Sequence, residues 1–304
     1  LHGVLVLAIG RPMKEKSKSK NEDKKRKKDK NRNRKKDKGN KVVLTAKSAD
    51  KLDLYERSVQ DPPTDIAFFT KAFRKERKRV ANSLREDFCG TAMLCADWVK
   101  KHPERTAVGL DLHQPTMDYG WKKHIEPLGK DAERVELLNR DVLVGTNRKF
   151  DIIAAFNFSY SVFKTRKQLL SYFQTARRDL VDDGAFFIDL YGGPESQVEV
   201  EETQKFKGFS YVWDQKPLDA ISAWGLRHIH YRFPDGSEMK KAFTYDWRLW
   251  TLPELCDLMD DAGFSSWDVY WEGADKKGSG NGIFKKQATA ENEDAWIAYL
   301  VGWR

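Results

Sequence analysis

Apolar positions along the chain recur with two alternating periods from about residue 48 onward. Residues 49–57 and 63–78 carry helical spacing, the second with Ile66, Phe69, Ala72 and Phe73 on one face. Short apolar runs then alternate with amphipathic segments. Residues 81–86, 106–111, 134–138, 150–156 and 185–190 are predicted strands, with helices at 92–101, 114–124 and 165–180 between them. This alternation predicts an α/β fold with a parallel, doubly wound sheet, whose ligand crevice lies at the carboxyl ends of the strands. Those ends are residues 86–92, Asp111, Asp141 and residues 157–160.

After residue 190 the period shortens. Residues 206–215, 224–233 and 238–247 alternate as strands, with a turn at Phe233-Pro234-Asp235-Gly236. They form an antiparallel β cap, inserted over residues 191–248 and suited to covering the crevice. A helix is expected at 252–262, with Thr251 as its N-cap and Gly263 as its stop, followed by strands at 266–271 and 295–303. The polar, glycine-rich stretch 272–294 reads as a loop. Its run Lys277-Gly278-Ser279-Gly280-Asn281-Gly282 superficially suggests a phosphate cradle, but no helix opens after it. The whole is a Rossmann-like, doubly wound, mostly parallel seven-stranded sheet, in a domain spanning 42–304.

Residues 14–41 contain no apolar side chain and carry a net charge of +11, against +9 for the whole chain, so the rest is mildly acidic. Such a segment buries no surface to offset the entropy of ordering, and residues 1–41 are expected to be a disordered basic tail. Lys24-Lys25-Arg26-Lys27-Lys28 fits either a nuclear-localisation or weak polyanion-binding patch, or a merely solubilising one. Residues 1–12 precede Met13 and lack the basic start and cleavage site of a signal peptide, so they read as a fragment boundary or misassigned start. The apolar run from Val4 to Ile9 is far short of the roughly 20 residues that span a bilayer, so no membrane partner is expected. Cys89, Cys95 and Cys256 form no paired motif, which excludes a disulfide scaffold and a structural zinc site. A reducing compartment, cytoplasmic or nuclear, is the expected location.

The sequence Glu86-Asp87-Phe88-Cys89-Gly90-Thr91-Ala92 is a strand end, a tight turn and a helix start. Gly90 permits close backbone approach of a ligand, and free N–H groups at the helix start face an electron-rich group. Asp111 ends the next strand, at the spacing where an acidic side chain accepts from ribose hydroxyls. An adenosine-containing cofactor is expected there, the alternative being an ordinary strand–helix turn with a solvated Asp111. The dinucleotide G-x-G-x-x-G is absent, because Phe88 and Ala92 stand where glycines belong.

On these residues the chain from about Tyr55 to Trp303 resembles the class I S-adenosylmethionine-dependent methyltransferases. Residues 86–92 keep the acid, the Cys-Gly-Thr and a small last residue of that family's D-x-G-C-G-T-G turn, with Phe88 and Ala92 in place of its first and last glycines. Val108-Gly109-Leu110-Asp111-Leu112 and Asn139-Arg140-Asp141-Val142 match its second and third motifs. Phe150-Asp151-Ile152-Ile153 and residues 181–187 match its fourth strand and the turn into its fifth; residues 247–264 resemble a late helix-then-strand segment of its small-molecule members. The resemblance implies S-adenosylmethionine as cofactor, no metal, and methyl transfer to N or O of a small molecule. It implies that Glu86, Phe88, Cys89, Gly90, Thr91 and Ala92 surround the methionine and sugar, that Asp111 takes the ribose hydroxyls, and that Leu112 lies against adenine. Asp141 would accept from the adenine amine, with Val142 beside it. Tyr55, Arg57 and Gln60 would close over the cofactor; Arg57 either pairs with the methionine carboxylate or is a surface arginine.

Acceptor-side candidates are Asn157 and Tyr160, in Asn157-Phe158-Ser159-Tyr160, which shares its Asn and Tyr with the N-P-P-Y site of nucleobase amino-methyltransferases but lacks both prolines. The alternative places Asn157 in a turn and Tyr160 in the core. In the cap, His228 and His230 share one strand face and Arg227, Ile229 and Tyr231 the other. A histidine facing the crevice would take a proton from substrate; otherwise both are ordinary strand residues. Two other readings stay open: a nucleic-acid or protein methyltransferase recruited by the tail, and a non-catalytic cofactor-binding scaffold. The sequence leaves the oligomeric state unknown.

Overall fold

Side-chain caps set the first two helices. Asp50 accepts from the Leu52 and Asp53 N–H groups to open α1 (Lys51–Val59), and Asp61 accepts from Thr64 to open α2 (Pro62–Arg77). The structure, a computed structural model, describes residues 43–274 and 280–304. The basic tail, and Lys277, Gly278 and Ser279 of the glycine-rich run, lie outside the described residues.

The expected alternation follows. It runs β1 (Ser83–Asp87), α3 (Met93–Lys100), β2 (Thr106–Asp111), α4 (Gln114–Gly120), β3 (Val135–Asn139), β4 (Phe150–Ala155), α5 (Arg166–Arg178) and β5 (Leu180–Gly192). The four-stranded antiparallel sheet comprises β6 (Val200–Phe206), β7 (Phe209–Gln215), β8 (Trp224–Arg232) and β9 (Glu238–Arg248). The chain closes with α6 (Leu252–Asp261), β10 (Ser266–Ala274), β11 (Gly280–Gln287) and β12 (Trp296–Trp303). Thr251 and Glu254 form a reciprocal capping box at α6, and Gly263 follows with φ +87°.

The large sheet runs β11-β10-β12-β5-β4-β1-β2-β3, with β5 to β3 parallel and β12, β10 and β11 antiparallel. The seven expected strands are all present, and β11 adds an eighth at the edge. It falls inside the stretch read as a loop, because an edge strand of mostly exposed residues is held by its ladder with β10 and shows no apolar alternation. The cap differs too. Residues expected to start a single strand at 206 form a hairpin instead, with Lys207-Gly208 as its loop and Gly208 at φ +93°. The helix expected over 114–124 is regular only to Gly120 and continues as a π turn.

The parallel order reverses between β1 and β4, which puts the crevice at their carboxyl ends. One face of the sheet packs on Phe69, Phe73 and Trp98 from α2 and α3, the other on Leu169, Phe173, Leu255 and Met259 from α5 and α6. A third cluster joins α1 to the cap through Leu54, Val59, Tyr231 and Trp247. No helix among the described residues is long and apolar enough to cross a membrane.

A Cβ on Gly120 would collide with the backbone carbonyl of Thr91, so α4 meets the turn after β1 backbone to backbone. Gly120→Ala is therefore expected to lower stability by about 1–3 kcal/mol in urea unfolding. An unchanged midpoint would show that this close approach is not made.

Candidate functional site

The turn after β1 follows a glycine path with few glycines. Phe88 and Ala92 hold φ of +58° and +54°, in the left-handed region that favours glycine, with Gly90 at +52° between them. These are the two glycine positions of D-x-G-C-G-T-G that this sequence fills with other residues. Attachments on both sides hold the turn. The Cys89 N–H donates to Leu110 O at 2.9 Å, and the Gly90 N–H donates to Asp111 Oδ2 at 2.9 Å. Asp111 Oδ1 accepts from the His113 N–H at 2.8 Å, and both carboxylate oxygens keep further lone pairs.

On the other side, the Phe88 ring lies 6.1 Å from Phe163 and 5.8 Å from Tyr172. Asp87, buried beneath it, accepts from Arg85 Nη2 at 2.9 Å and from the Tyr172 hydroxyl at 2.8 Å, while Arg85 Nη1 donates to Asp179 at 2.6 Å. A buried, ion-paired network of this kind fixes geometry at the strand end.

A cavity of about 300 Å³ opens at the ends of β2, β1 and β4, within the size range of small-molecule sites. Asp111, His113 and Thr116 line it beyond β2; Glu86, Asp87, Phe88, Gly90 and Thr91 line it at β1. Phe156, Asn157 and Ser159 line the β4 end. Leu52, Tyr55 and Gln60 cover it from α1 and its C-cap, and Phe243 and Tyr245 from β9. Among the described residues, the lining contains three carboxyl groups and no lysine or arginine. Glu86 Oε2 accepts from the Cys95 N–H at 3.1 Å and from its thiol at 3.0 Å, and burial pushes the Glu86 carboxyl up to about 8.

The loop after β4 is held by a carboxylate where the N-P-P-Y pattern has prolines. Asn157 and Phe158 adopt φ of +58° and +57°, and their N–H groups donate to Asp189 Oδ2 and Oδ1 at 2.8 and 2.9 Å. Burial pushes Asp189 up to about 7.

Of the residues singled out in the sequence, Tyr55, Gln60, Glu86, Phe88, Gly90, Thr91, Asp111 and Asn157 come together around the cavity. Cys89 and Ala92 are buried inside the turn and shape it without lining it. Leu112 is 68% exposed and lies outside the lining. Asp141 is engaged in its own turn, accepting from the Leu143 N–H, and Val142 is in the core. Arg57 donates to Lys207 O and Asp53 and lies over the Phe209 ring, so it is not in the cavity. Tyr160 is also displaced: the left-handed pair Asn157-Phe158 leads into a 3-10 turn that buries it in the core. The two histidines are corrected likewise. Ile229 and Tyr231 face the cluster beneath the cap, so His228 turns to Thr244 at 2.9 Å and His230 to Asp214 at 3.2 Å. Neither lines the cavity.

Sequence reading missed His113, Thr116, Phe156, Ser159, Leu52 and Phe243. A usable signal existed for two of them: His113-Gln114-Pro115-Thr116 is a helix start directly after the β2 acid, and His113 caps it by accepting from Thr116.

Two consequences are measurable. Ala92→Gly is expected to leave stability unchanged or raise it by up to about 1 kcal/mol, because release of roughly 1–2 kcal/mol of left-handed strain offsets a buried methyl worth about 0.8 kcal/mol. A loss of 2 kcal/mol or more in chemical unfolding would contradict this. The Glu86 carboxyl, raised in the folded chain, favours folding at acid pH and loses that contribution as pH climbs from about 4.5 to about 8. Glu86→Gln is uncharged throughout, so its melting temperature relative to the parent is expected to rise between pH 5 and pH 9 by about 3 °C or more. A difference independent of pH would count against a proton held at Glu86.

No protein-family model matches the chain, and no curated protein matches it. Solved structures do. An S-adenosylmethionine-dependent methyltransferase from Clostridium acetobutylicum superposes with a TM-score of 0.59 at 17% identity, covering 83% of this chain and 96% of that one. The CcbJ methyltransferase from Streptomyces caelestis gives 0.59 at 14% identity, covering 79% and 95%. The sugar N-methyltransferase KedS8 from Streptoalloteichus gives 0.56 at 17%, covering 83% and 92%. With its 3-2-1-4-5 parallel core, antiparallel final strands and crevice at the reversal point, the chain has the fold of the class I S-adenosylmethionine-dependent methyltransferases.

Proposed function

We propose that the protein is an S-adenosylmethionine-dependent methyltransferase that moves a methyl group to N or O of a small molecule by in-line displacement. The observation that carries this reading is the order of groups along the cavity. The end of β2 offers a carboxylate with free lone pairs, the end of β1 a backbone turn backed by a buried acid, and the end of β4 an uncharged wall of aromatic and amide groups.

The residues present fit the cofactor. Asp111 would accept from the ribose hydroxyls, and Glu86 would face the amino group, giving up its proton as that cation arrives. Among the described residues the lining holds no lysine or arginine, which suits a sulfonium. When bound, the cofactor supplies an activated methyl group. The chain's own part is positioning and exclusion of water: α1 and β9 close over the cavity, while Asp189 fixes the loop that presents Asn157. A small acceptor is supported by the enclosed size of the cavity and by the sugar substrate named for the neighbouring KedS8 enzyme.

Calorimetric titration with S-adenosylmethionine tests the reading. Asp111→Ala is expected to weaken binding at least tenfold, since it removes charge-assisted hydrogen bonds worth about 1.5–3 kcal/mol. Equal affinities for parent and variant would overturn the assignment.

A further inference from the structure

We propose that the acceptor atom is an amine nitrogen that arrives uncharged, and that the acceptor carries no anionic group near it. The inference rests on the methyltransferase reading and deepens it, and it follows from what the β4 end of the cavity contains and lacks. Its walls are Phe156, Asn157 and Ser159 from the loop after β4, Tyr55 and Gln60 from α1 and its C-cap, and Tyr245 from β9. None of these is a base at neutral pH. Burial pushes the Tyr55 hydroxyl up to about 12 and the Tyr245 hydroxyl well above its ordinary value.

The acids and the imidazole of the cavity belong to its other end and are already engaged. Asp87 is paired with Arg85 and Tyr172, Asp111 holds the Gly90 and His113 N–H groups, and His113 Nδ1 faces the Thr116 hydroxyl at 2.7 Å. Glu86 sits at the methionine turn with Cys95. Beneath the β4 loop, Asp189 spends both oxygens on backbone N–H groups and does not line the cavity. The histidines of the cap face elsewhere.

An alcohol must lose its proton as it attacks, so it needs a base placed beside it. A neutral amine does not. Its lone pair forms the new N–C bond while the methyl–sulfur bond breaks, the bonding pair stays on sulfur as a neutral thioether, and the nitrogen takes the positive charge. It sheds its proton to water afterwards. The rings of Tyr55 and Tyr245 line the cavity and would favour the cation formed there, while the Phe243 ring beside them already carries Lys51 Nζ at 5.2 Å. Gln60 supplies the matching observation. Its Oε1 is buried with no hydrogen-bond donor, and an N–H of the acceptor would satisfy it. A carboxylate or phosphate acceptor would find no lysine or arginine among the described lining residues to pair with.

The test uses the full chain and two matched triplets: benzylamine, benzyl alcohol and benzoate; cyclohexylamine, cyclohexanol and cyclohexanecarboxylate. Calorimetry on the protein saturated with S-adenosylhomocysteine reads binding, and mass spectrometry with methyl-deuterated S-adenosylmethionine reads transfer. The amine of each triplet is expected to bind at least tenfold more tightly than its carboxylate and alone to gain the label. Gln60→Leu is expected to weaken amine binding about tenfold more than it weakens S-adenosylhomocysteine binding. Replacing benzylamine by the less basic trifluoroethylamine is expected to move the acid limb of kcat/KM to the new amine's own pKa. Label on an alcohol or carboxylate, amine binding no tighter than carboxylate binding, or a limb fixed at one pH for both amines would overturn the proposal. Preferential amine binding without label on any probe would instead overturn the transfer reading and leave the amine preference standing.

Discussion

The Asp111 carboxylate gripping the Gly90 N–H across the tops of two neighbouring strands is the contact on which the rest of the site depends. It ties the end of β2 to the turn after β1, and the ladder Glu86–Gly109 and Asp87–Leu110 sets the two strand ends in register beneath it. On the proposed reading, a single side chain would thereby set the ribose diol and the methionine turn relative to each other. Its oxygens are oriented by two backbone donors before any ligand arrives, so little ordering remains to be done on binding.

The same economy of fixed backbone recurs along the crevice. Phe88, Ala92, Asn157 and Phe158 all hold left-handed φ without being glycine, and each is over-determined by its surroundings. The ring of Phe88 packs on Phe163 and Tyr172, Ala92 opens α3, and Asp189 grips the other two by their N–H groups. Buried acids accompany these turns. Glu86 and Asp189 both hold protons more tightly than an exposed acid would, which makes the site costly to stability at alkaline pH and responsive to an arriving cation.

Much of this was readable in the chain itself, for a local reason. Glu86, Gly90 and Asp111 sit at strand ends, and the period of the apolar residues marks those ends without reference to any distant contact. The cap's hairpin at Lys207-Gly208 and the edge strand β11 were harder, because one hides in a two-residue loop and the other buries almost nothing. Tyr160 was misplaced because the left-handed pair Asn157-Phe158 turns the loop inward, and the histidines because strand alternation tells which residues share a face, not which face the packing turns inward. Phe243 and Tyr245 reach the cavity only through the docking of the cap on α1, and no local pattern encodes that distance along the chain.

The most direct measurement is a crystal structure of the chain with bound S-adenosylhomocysteine. The expected density places the ribose on Asp111, the amino group at Glu86, and the thioether sulfur open toward Asn157. Density for the ligand in another hollow, such as the one beside Trp267 and Trp271, or a cavity still empty at saturating ligand, would contradict the assignment of this crevice.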